Sequence, residues 1–371
     1  MGDITINIPE KFRDHALFKE RICGSNFGFM AKRGYYLQPE VIRQPELMRE
    51  MGINWVTVNM NFCQTHYYSQ KVYLDFEFST GELELYEITK RLHDNGIKVL
   101  FKPCLTSLDG AWMGWVGFPD ELRQIEGVEN NYWDKWFRSF LEAEKYFADL
   151  AQRAGMDAMI IGAEYFGTEG QDARWRKVIE EVRKLYTGPI TYEFTCNSRK
   201  KYGLKWFDEL DFLSYSYYPP ACPVNEDYFT GKADINDNPD YTVEQLMQYL
   251  ESRKARIRSI SERFDHKPIL FTEYGVRSSH GCIMRPFEIE TKGHYDGQEQ
   301  ANFMEASFRT FHELPEWMGL LWWKWDETQY RPHYHADPAG NRGFTVQGKP
   351  AEEVMRKWAA IMKNEPLLKG V

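Results

Sequence analysis

Short runs of apolar residues alternate along the chain with longer segments in which apolar residues recur every three or four positions. The runs are nearly continuous in aliphatic and aromatic residues, which is typical of strands buried on both faces of a sheet. They predict strands at residues 26–31, 53–60, 97–103, 156–164, 190–197, 211–219, 268–275 and 319–325. The longer segments predict amphipathic helices, several of which end in glycine. This alternation predicts an α/β protein with parallel strands.

The number of strand–helix units fits a single (β/α)8 TIM barrel, whose usual length is about 250 residues before insertions. We expect one barrel domain over residues 1–371, with a core of about residues 22–365. A doubly wound open sheet is the alternative, but the chain has no Gly-x-Gly-x-x-Gly after the first strand and no Walker loop to favour it. Two long connections, 220–242 and 276–297, follow the sixth and seventh strands, so a barrel would place them on its active face.

The charge and cysteine content limit the kinds of partner. With 46 Lys and Arg against 55 Asp and Glu the net charge is −9, so nucleic acid is not an expected partner. No apolar run is long enough to span a bilayer, and the first residues lack the apolar segment of a signal peptide. Six widely spaced cysteines without a Cys-x-x-Cys pair favour reduced thiols. We therefore expect a cytoplasmic protein, and no pattern indicates its oligomeric state.

Aromatic residues make up 16% of the chain, with 12 Trp and 22 Tyr. They indicate either a large aromatic core or a cleft lined by flat side chains, which suits sugars. Composition leaves both interpretations open.

Polar or aromatic side chains stand where the predicted strands end. They are Asn59, Lys102, Glu164, Asn197, Tyr217, Glu273 and Lys324. One such residue usually marks a strand that meets solvent, but in a barrel the carboxyl ends of the strands converge and would form one site. Glu164 and Glu273 end the fourth and seventh strands. Glycoside hydrolysis needs such a pair, because one carboxyl group protonates the leaving oxygen while the other attacks or activates water.

Other candidate residues have simpler explanations. Glu169 competes with Glu164, but it precedes a helix, where a carboxylate stabilises the N-terminal dipole. Asp109 and Trp112 follow the third strand and could hold a sugar, although an ordinary Asp-Gly turn is about as plausible. His333 and His335 could bind a metal, but no third ligand is close in sequence. We expect a loop at the cleft rim there, and neither a metal nor a cofactor.

Together these motifs resemble glycoside hydrolase family 113, the β-mannanase family of clan A. The resemblance runs from "GFMAKRG" (28–34) to "WWKWDE" (322–327) and rests on the order of "NWVTVNMNFCQ", "KPCLTSLDGAW", "IGAEYFGTE", "DFLSYSYYPP", "FTEYGVRSS" and "GLLWWKWDE". It implies that Glu164 is the general acid/base and Glu273 the nucleophile of a retaining enzyme. Their carboxyl groups should then lie about 5–5.5 Å apart. Ala163 stands where many clan A enzymes have Asn, and Cys104 where the family tends to have His.

The resemblance also implies a β-mannan or manno-oligosaccharide substrate across the mouth of the barrel. Stacking candidates are Trp112, Trp323 and Trp325; hydrogen-bonding candidates are Lys102, Asn197 and Tyr217; Asp109 and Arg277 are further binding candidates. The long connections are expected to wall the cleft with Tyr228, Arg277, His280 and Tyr295. The alternatives are an exo-acting β-mannosidase, another retaining β-glycosidase of clan A, and a catalytically silent carbohydrate-binding barrel.

Overall fold

Parallel strands that alternate with helices close into a barrel in a computed structural model of the chain. The structure describes residues 6–118, 131–196, 198, 204–288, 292–326, 342–363 and 365–367, and the backbone of 124–125 and 128–129. The barrel strands are β1 Ile22–Phe27, β2 Trp55–Gln64, β3 Lys98–Ser107, β4 Ala158–Ala163, β5 Ile190–Phe194, β6 Leu213–Ser216, β7 Ile269–Tyr274 and β8 Trp317–Trp322. They neighbour one another in chain order, which confirms the predicted (β/α)8 TIM barrel.

The longer helices carry buried apolar residues on one face and charged residues on the other, whereas the short α6 has no buried residue. They are α1 Ala16–Lys19, α2 Gln44–Met51, α3 Glu82–Asp94, α4 Tyr132–Ala154, α5 Asp172–Leu185, α6 Glu226–Thr230, α7 Val243–Arg263, α8 Gly297–Phe311 and α9 Pro350–Met362. Local chemistry explains their ends. The Asn131 side chain caps the start of α4, and Gly155 ends it in the left-handed conformation.

The strands and helices group into two compact units. One comprises residues 1–27, 46–57 and 215–371, and the other comprises 28–45 and 58–214. In the first unit β8 pairs with both β1 and β7. Gly319 of β8 lies opposite Ile22 and has a φ of 132°. A Cβ atom there would lie 2.0 Å from the carbonyl oxygen of Ile22, so this close pairing requires glycine.

In the second unit β4 pairs with both β3 and β5, and Ala163 lies opposite Glu193. Aromatic rings support this part of the sheet. Trp175 stacks on Trp206 with ring centres 4.7 Å apart, and Tyr192 lies edge-on to both. This buried cluster holds the carboxyl ends of β4 and β5 in a fixed relation.

Most of the large aromatic side chains belong to the core. The largest fully buried side chains are Trp55, Trp136, Trp175, Trp206, Trp317, Trp322, Trp325, Tyr35, Tyr36, Tyr165, Tyr192 and Tyr215. The core interpretation therefore accounts for much of the aromatic content. Trp112 is half-buried and Trp115 is 60% exposed, so both offer ring surface outside the core.

Some predicted boundaries were wrong. The first strand was expected at 26–31, but β1 ends at Phe27, because Gly28 and Met30 both have positive φ and turn the chain. The third strand continues to Ser107, beyond the predicted end at 103. The helix α9 was not predicted.

Two further features concern the surroundings of the protein. Among the described helices, none combines the length and apolar character needed to cross a membrane. The six cysteines all lie in described residues, and no disulfide joins them. Burial raises the pKa of the Cys23 thiol to about 12, so this thiol stays protonated at neutral pH.

Candidate active site

Glu164 directly follows β4, and hydrogen bonds hold its backbone on both sides. Its N–H donates to the carbonyl of Glu193 at 2.9 Å, and its own carbonyl accepts from the N–H of Phe166 at 2.7 Å. The φ of 61° is rare for a residue with a side chain. Such a conformation costs about 1–3 kcal/mol and is often found at functional sites. The half-buried side chain therefore leaves the strand in an orientation that the surrounding structure fixes.

Trp112 contacts the Glu164 carboxyl group directly. Its indole Nε1–H donates to Oε2 of Glu164 at 2.8 Å. The ring rests on Gly114, where a Cβ atom would lie 2.3 Å from it. A donor of this kind stabilises the ionised form of a carboxyl group. Trp112, predicted as a stacking residue, thus also touches the proposed acid/base.

Glu169 has a structural environment. It is buried, and its Oε1 accepts from the hydroxyl of Tyr192 at 3.0 Å and from the hydroxyl of Ser198 at 2.6 Å. The residue that precedes α5 is Gln171, so the expected helix-capping role of Glu169 is not observed. These contacts fix Glu169 inside the aromatic cluster and favour Glu164 as the reactive carboxyl group.

Lys102 and Glu193 form a buried ion pair. Because β3 is longer than predicted, Lys102 lies within the strand, and its side chain is 1% exposed. Its Nζ is 2.6 Å from Oε1 of Glu193, which is fully buried in β5. The ammonium group of Lys102 thus faces an internal partner, and its expected contact with the sugar stays a prediction. Sequence reasoning missed Glu193, although a Glu inside the apolar run "ITYEF" was a usable signal.

Cys104 departs from the family pattern at a buried position. Its Sγ lies 3.4 Å from Oδ1 of Asn59 and 3.6 Å from the carbonyl oxygen of Lys102. Asn59 lies within β2 rather than at its end and is buried. Asn59, a predicted strand-end residue, is therefore buried inside its strand beside Cys104.

Glu273 lies in β7, next to the end of the strand, and is half-buried. Its Oε2 accepts from the hydroxyl of Tyr218 at 3.0 Å and, more weakly, from Ser216 at 3.4 Å. Tyr217 was the predicted sugar contact, but its buried ring stacks on Tyr215 with centres 4.5 Å apart. Successive residues of an extended chain point to opposite sides, so the neighbouring Tyr218 is the one that reaches Glu273. A sugar contact from Tyr217 stays a prediction.

The residues after β8 differ in their access to solvent. The peptide bond between Trp323 and Lys324 is cis. The N–H of Trp323 donates to the carbonyl of Tyr274 at 2.8 Å. Trp323 is 9% exposed, whereas Trp325 is 2% exposed and packs as a core residue. A ring without an open face cannot stack on a sugar, so Trp325 is a poor stacking candidate and Trp323 is the better one.

Asp109 occupies the turn that the sequence allowed as its alternative. One carboxylate oxygen accepts from the N–H of Ala111 at 3.0 Å, and the other accepts from the N–H of Tyr67 at 3.2 Å. Gly110 follows with a φ of 79°. Asp109 therefore holds the loops after β2 and β3 together, and its expected contact with a sugar stays a prediction.

Arg277 is also committed to internal contacts. It is buried, its Nε donates to the carbonyl of Glu288 at 3.2 Å, and its guanidinium lies 4.7 Å from the ring centre of Phe344. These contacts give it a structural role in the connection after β7. The predicted sites at Asn197, His333 and His335 lie outside the described residues.

The long connections after β6 and β7 pack against each other through His280. This buried ring has Nδ1 2.9 Å from Oδ2 of Asp296 and Nε2 2.7 Å from the carbonyl oxygen of Asn238. Burial lowers the pKa of His280, but the two hydrogen bonds raise it on balance. Because both nitrogens face acceptors, the geometry favours the doubly protonated imidazolium. A hydrogen bond from Lys292 to the carbonyl of Phe229 adds a second link.

His280, His294 and Asp296 are close enough together to suggest a metal site. The two imidazole rings, however, are stacked with centres 4.8 Å apart and an interplanar angle of 10°. A metal ion lies in the plane of each imidazole that binds it, and two parallel stacked rings do not share such a point. The cluster is better described as a link between the two connections.

Comparisons with known proteins agree with this geometry. The pattern of Glycoside Hydrolase Family 113 matches residues 25–349. The chain is 27% identical to a solved family 113 β-1,4-mannanase, with a TM-score of 0.75 over 92% of this chain and 99% of that one. It is 25% identical to the family 113 β-mannanase of Alicyclobacillus acidocaldarius in complex with ManMIm, with a TM-score of 0.76 over 94% and 99%.

A more distant likeness concerns the fold alone. A Ruminococcus gnavus β-glucuronidase is 14% identical, with a TM-score of 0.56 over 92% of this chain and 50% of that one. No protein of curated function matches the sequence.

Proposed function

The chain belongs to glycoside hydrolase family 113, and from this membership we propose that it cleaves β-1,4-mannosidic bonds in mannan or manno-oligosaccharides with retention of configuration. One observation carries the choice of residues. Glu164 and Glu273 stand at the carboxyl ends of β4 and β7, and each has a donor on one carboxylate oxygen. In a barrel, side chains at these strand ends share the active face.

The proposed reaction has two steps. Glu273 attacks the anomeric carbon while protonated Glu164 gives its proton to the leaving oxygen, which breaks the glycosidic bond and forms a glycosyl ester. Glu164, now ionised, takes a proton from water, and the oxygen of that water attacks the anomeric carbon and releases Glu273. Two inversions give net retention. Direct attack requires a carboxyl separation of about 5–5.5 Å, which we propose for this pair.

The hydrogen bonds support this division of roles. Tyr218 donates to Oε2 of Glu273 and so helps to orient the carboxyl group that would attack the anomeric carbon. Trp112 donates to Oε2 of Glu164 and so orients the carboxyl group that would transfer the proton. Trp323, which is 9% exposed, is the candidate platform for a bound mannose.

An activity panel tests this proposal. It compares mannan, mannohexaose, mannobiose, cello-oligosaccharides and xylan, and follows the products over time. We expect hydrolysis of the manno-substrates, with the new reducing end appearing first as the β-anomer in proton NMR. Glu273→Gln, purified in parallel, controls for contaminating enzymes. Preference for cello-oligosaccharides or xylan, or an α-anomer as first product, would contradict the proposal.

We further propose that the protein is one catalytic domain over residues 1–371 and acts in the cytoplasm. The six cysteines, unbridged in the structure, support a reducing location. Mass spectrometry of protein from its native cells under non-reducing conditions should find six thiols, and a stoichiometric disulfide would overturn the location.

A further inference from the structure

The ion pair of Lys102 and Glu193 takes no part in the two proposed chemical steps. Both side chains are buried, and Nζ and Oε1 are 2.6 Å apart. A buried ion pair is costly, and apolar residues of similar volume often stabilise a protein as well or better. Stability alone therefore does not account for this pair.

The position of the pair suggests that role. The backbone carbonyl of Glu193 holds the N–H of Glu164. The side-chain carboxylates of the same two residues lie within 4.8 Å of each other. At this separation, in surroundings that exclude most water, the charge on Glu193 acts strongly on Glu164. Lys102, bound to Glu193, supplies the opposite charge.

We propose that Glu193 is a positioning residue for Glu164, and that its charge cancels that of Lys102 so that Glu164 keeps its proton until the leaving oxygen takes it. The inference rests on the proposed function, in which Glu164 is the general acid/base. A buried ammonium without Glu193 would stabilise the Glu164 anion, and the enzyme would lose its acid at a lower pH. With the pair complete, the two charges nearly cancel at Glu164.

Other titratable groups of this part of the chain do not replace Glu193. Tyr165 and Tyr192 are fully buried, and burial raises the pKa of each well above its ordinary value, so they stay neutral. Glu169 accepts hydrogen bonds from Tyr192 and Ser198. The thiol of Cys104 lies against Asn59 and the carbonyl of Lys102.

Two further groups belong to the proposed site. Trp112 donates to Glu164 and carries no charge. The proposed nucleophile Glu273 is unchanged in all of the variants compared. Changes in pH dependence among those variants therefore report on Lys102 and Glu193.

The test compares the pH dependence of kcat/KM on mannohexaose for wild type, Glu193→Gln, Glu193→Asp and the double variant Lys102→Met with Glu193→Gln. The alkaline limb of this pH profile, where activity declines as Glu164 loses its proton, should move to lower pH by about one unit or more in Glu193→Gln, because a charge within 4.8 Å is removed. Glu193→Asp keeps the charge and should leave the limb in place, even if kcat falls. The double variant, which has neither charge, should return the limb to within about 0.3 pH unit of wild type.

Several outcomes would overturn the inference. If Glu193 has only a structural role, Glu193→Gln will have a lower kcat or melting temperature, but the alkaline limb of its pH profile will stay in place. A limb that moves in Glu193→Gln but is not restored in the double variant would also contradict charge balance. If Glu193→Gln alone does not fold, the double variant tests the inference. A displaced alkaline limb in the double variant would show that Lys102 and Glu193 do not act as a neutral pair.

A separate variant distinguishes this inference from the proposed function. Glu164→Ala should lose at least about 100-fold in kcat/KM on mannohexaose but still turn over an aryl β-mannoside whose leaving group needs no proton. Normal hydrolysis of mannohexaose by Glu164→Ala would refute the acid role, and the inference with it. If Glu164→Ala behaves as expected and Glu193→Gln leaves the limb unmoved, only the inference fails.

Discussion

Replacing Trp112 by Phe should move the pH dependence of the enzyme in a direction that the structure fixes. The change removes the 2.8 Å hydrogen bond from Nε1 to Glu164 and keeps an aromatic ring for contact with a sugar. A hydrogen bond to a charged group contributes about 1.5–3 kcal/mol. Because Glu164 is half-buried and water can partly replace the donor, we take about 1.4 kcal/mol, which corresponds to about one pKa unit.

The direction of this shift depends on which protonation state of Glu164 the indole N–H stabilises. The indole N–H favours the Glu164 carboxylate and so lowers the pKa of that group, and its loss raises the pKa. The alkaline limb of kcat/KM on mannohexaose should therefore move to higher pH by about one unit, opposite to the shift expected for Glu193→Gln.

The assay is a set of initial rates from about pH 4 to pH 9, with Trp323→Phe as the matched control. That control makes the same substitution at the proposed stacking ring, so it should change KM and leave the limb in place. A limb that stays fixed in Trp112→Phe, or moves to lower pH, would refute the link between this hydrogen bond and the acid.

Three other predictions follow from the described geometry. Gly167→Ala should cost about 1–3 kcal/mol of stability and reduce activity, because its Cβ would lie 1.9 Å from the carbonyl oxygen of Val116 in the loop that carries Trp112. Gly170→Ala is the control and should change little, because a Cβ there would have nothing within 4 Å. Equal melting temperatures for the two variants would contradict this prediction. Burial raises the pKa of Glu299 to about 7 in the folded protein, from 4.5 for an ordinary glutamate. Between these two pH values the folded protein keeps a proton on Glu299 that the unfolded chain has released, so stability is lost as the pH rises from about 4.5 to about 7. Glu299→Gln should therefore flatten the decline of the melting temperature measured calorimetrically between about pH 5 and pH 7, and a slope parallel to wild type would exclude this group as its source. The packed connections after β6 and β7 should limit the number of sugars bound, so short oligosaccharides should be cleaved to one fixed small product; a rapid loss of viscosity in mannan solution would show an open cleft instead.

The barrel could be predicted from the sequence because its signal is repetitive and local. Each buried parallel strand is apolar on both faces, and each helix repeats its apolar stripe, so the alternation survives errors in any one element. Strand ends were less accurate. Lys102 was interpreted as a strand end because it is charged, yet it lies inside β3, where Glu193 of another strand neutralises it. Such a partner is distant in sequence, so no local pattern reveals it.

The proposed reactive carboxyl groups have a clearer sequence signal than the residues around them. Glu164 and Glu273 each follow a strong apolar run, and their chemistry restricts the possible roles. The choice between Tyr217 and Tyr218 depends on where β6 ends, because a shift of one residue exchanges the inward and outward sides. Trp323 and Trp325 differ in how deeply they are buried, and burial depends on packing from distant parts of the chain.

The stereochemistry of azide rescue tests the central claim, that Glu164 and Glu273 act as acid/base and nucleophile of a retaining enzyme. Both alanine variants are incubated with an activated aryl β-mannoside and sodium azide, and the products are identified by NMR. Glu164→Ala should give the β-mannosyl azide, because azide attacks the intermediate formed on Glu273 and inverts the centre a second time. Glu273→Ala should give the α-azide by a single direct attack from the vacated side. A β-azide from Glu273→Ala, or an α-azide from Glu164→Ala, would contradict the assignment.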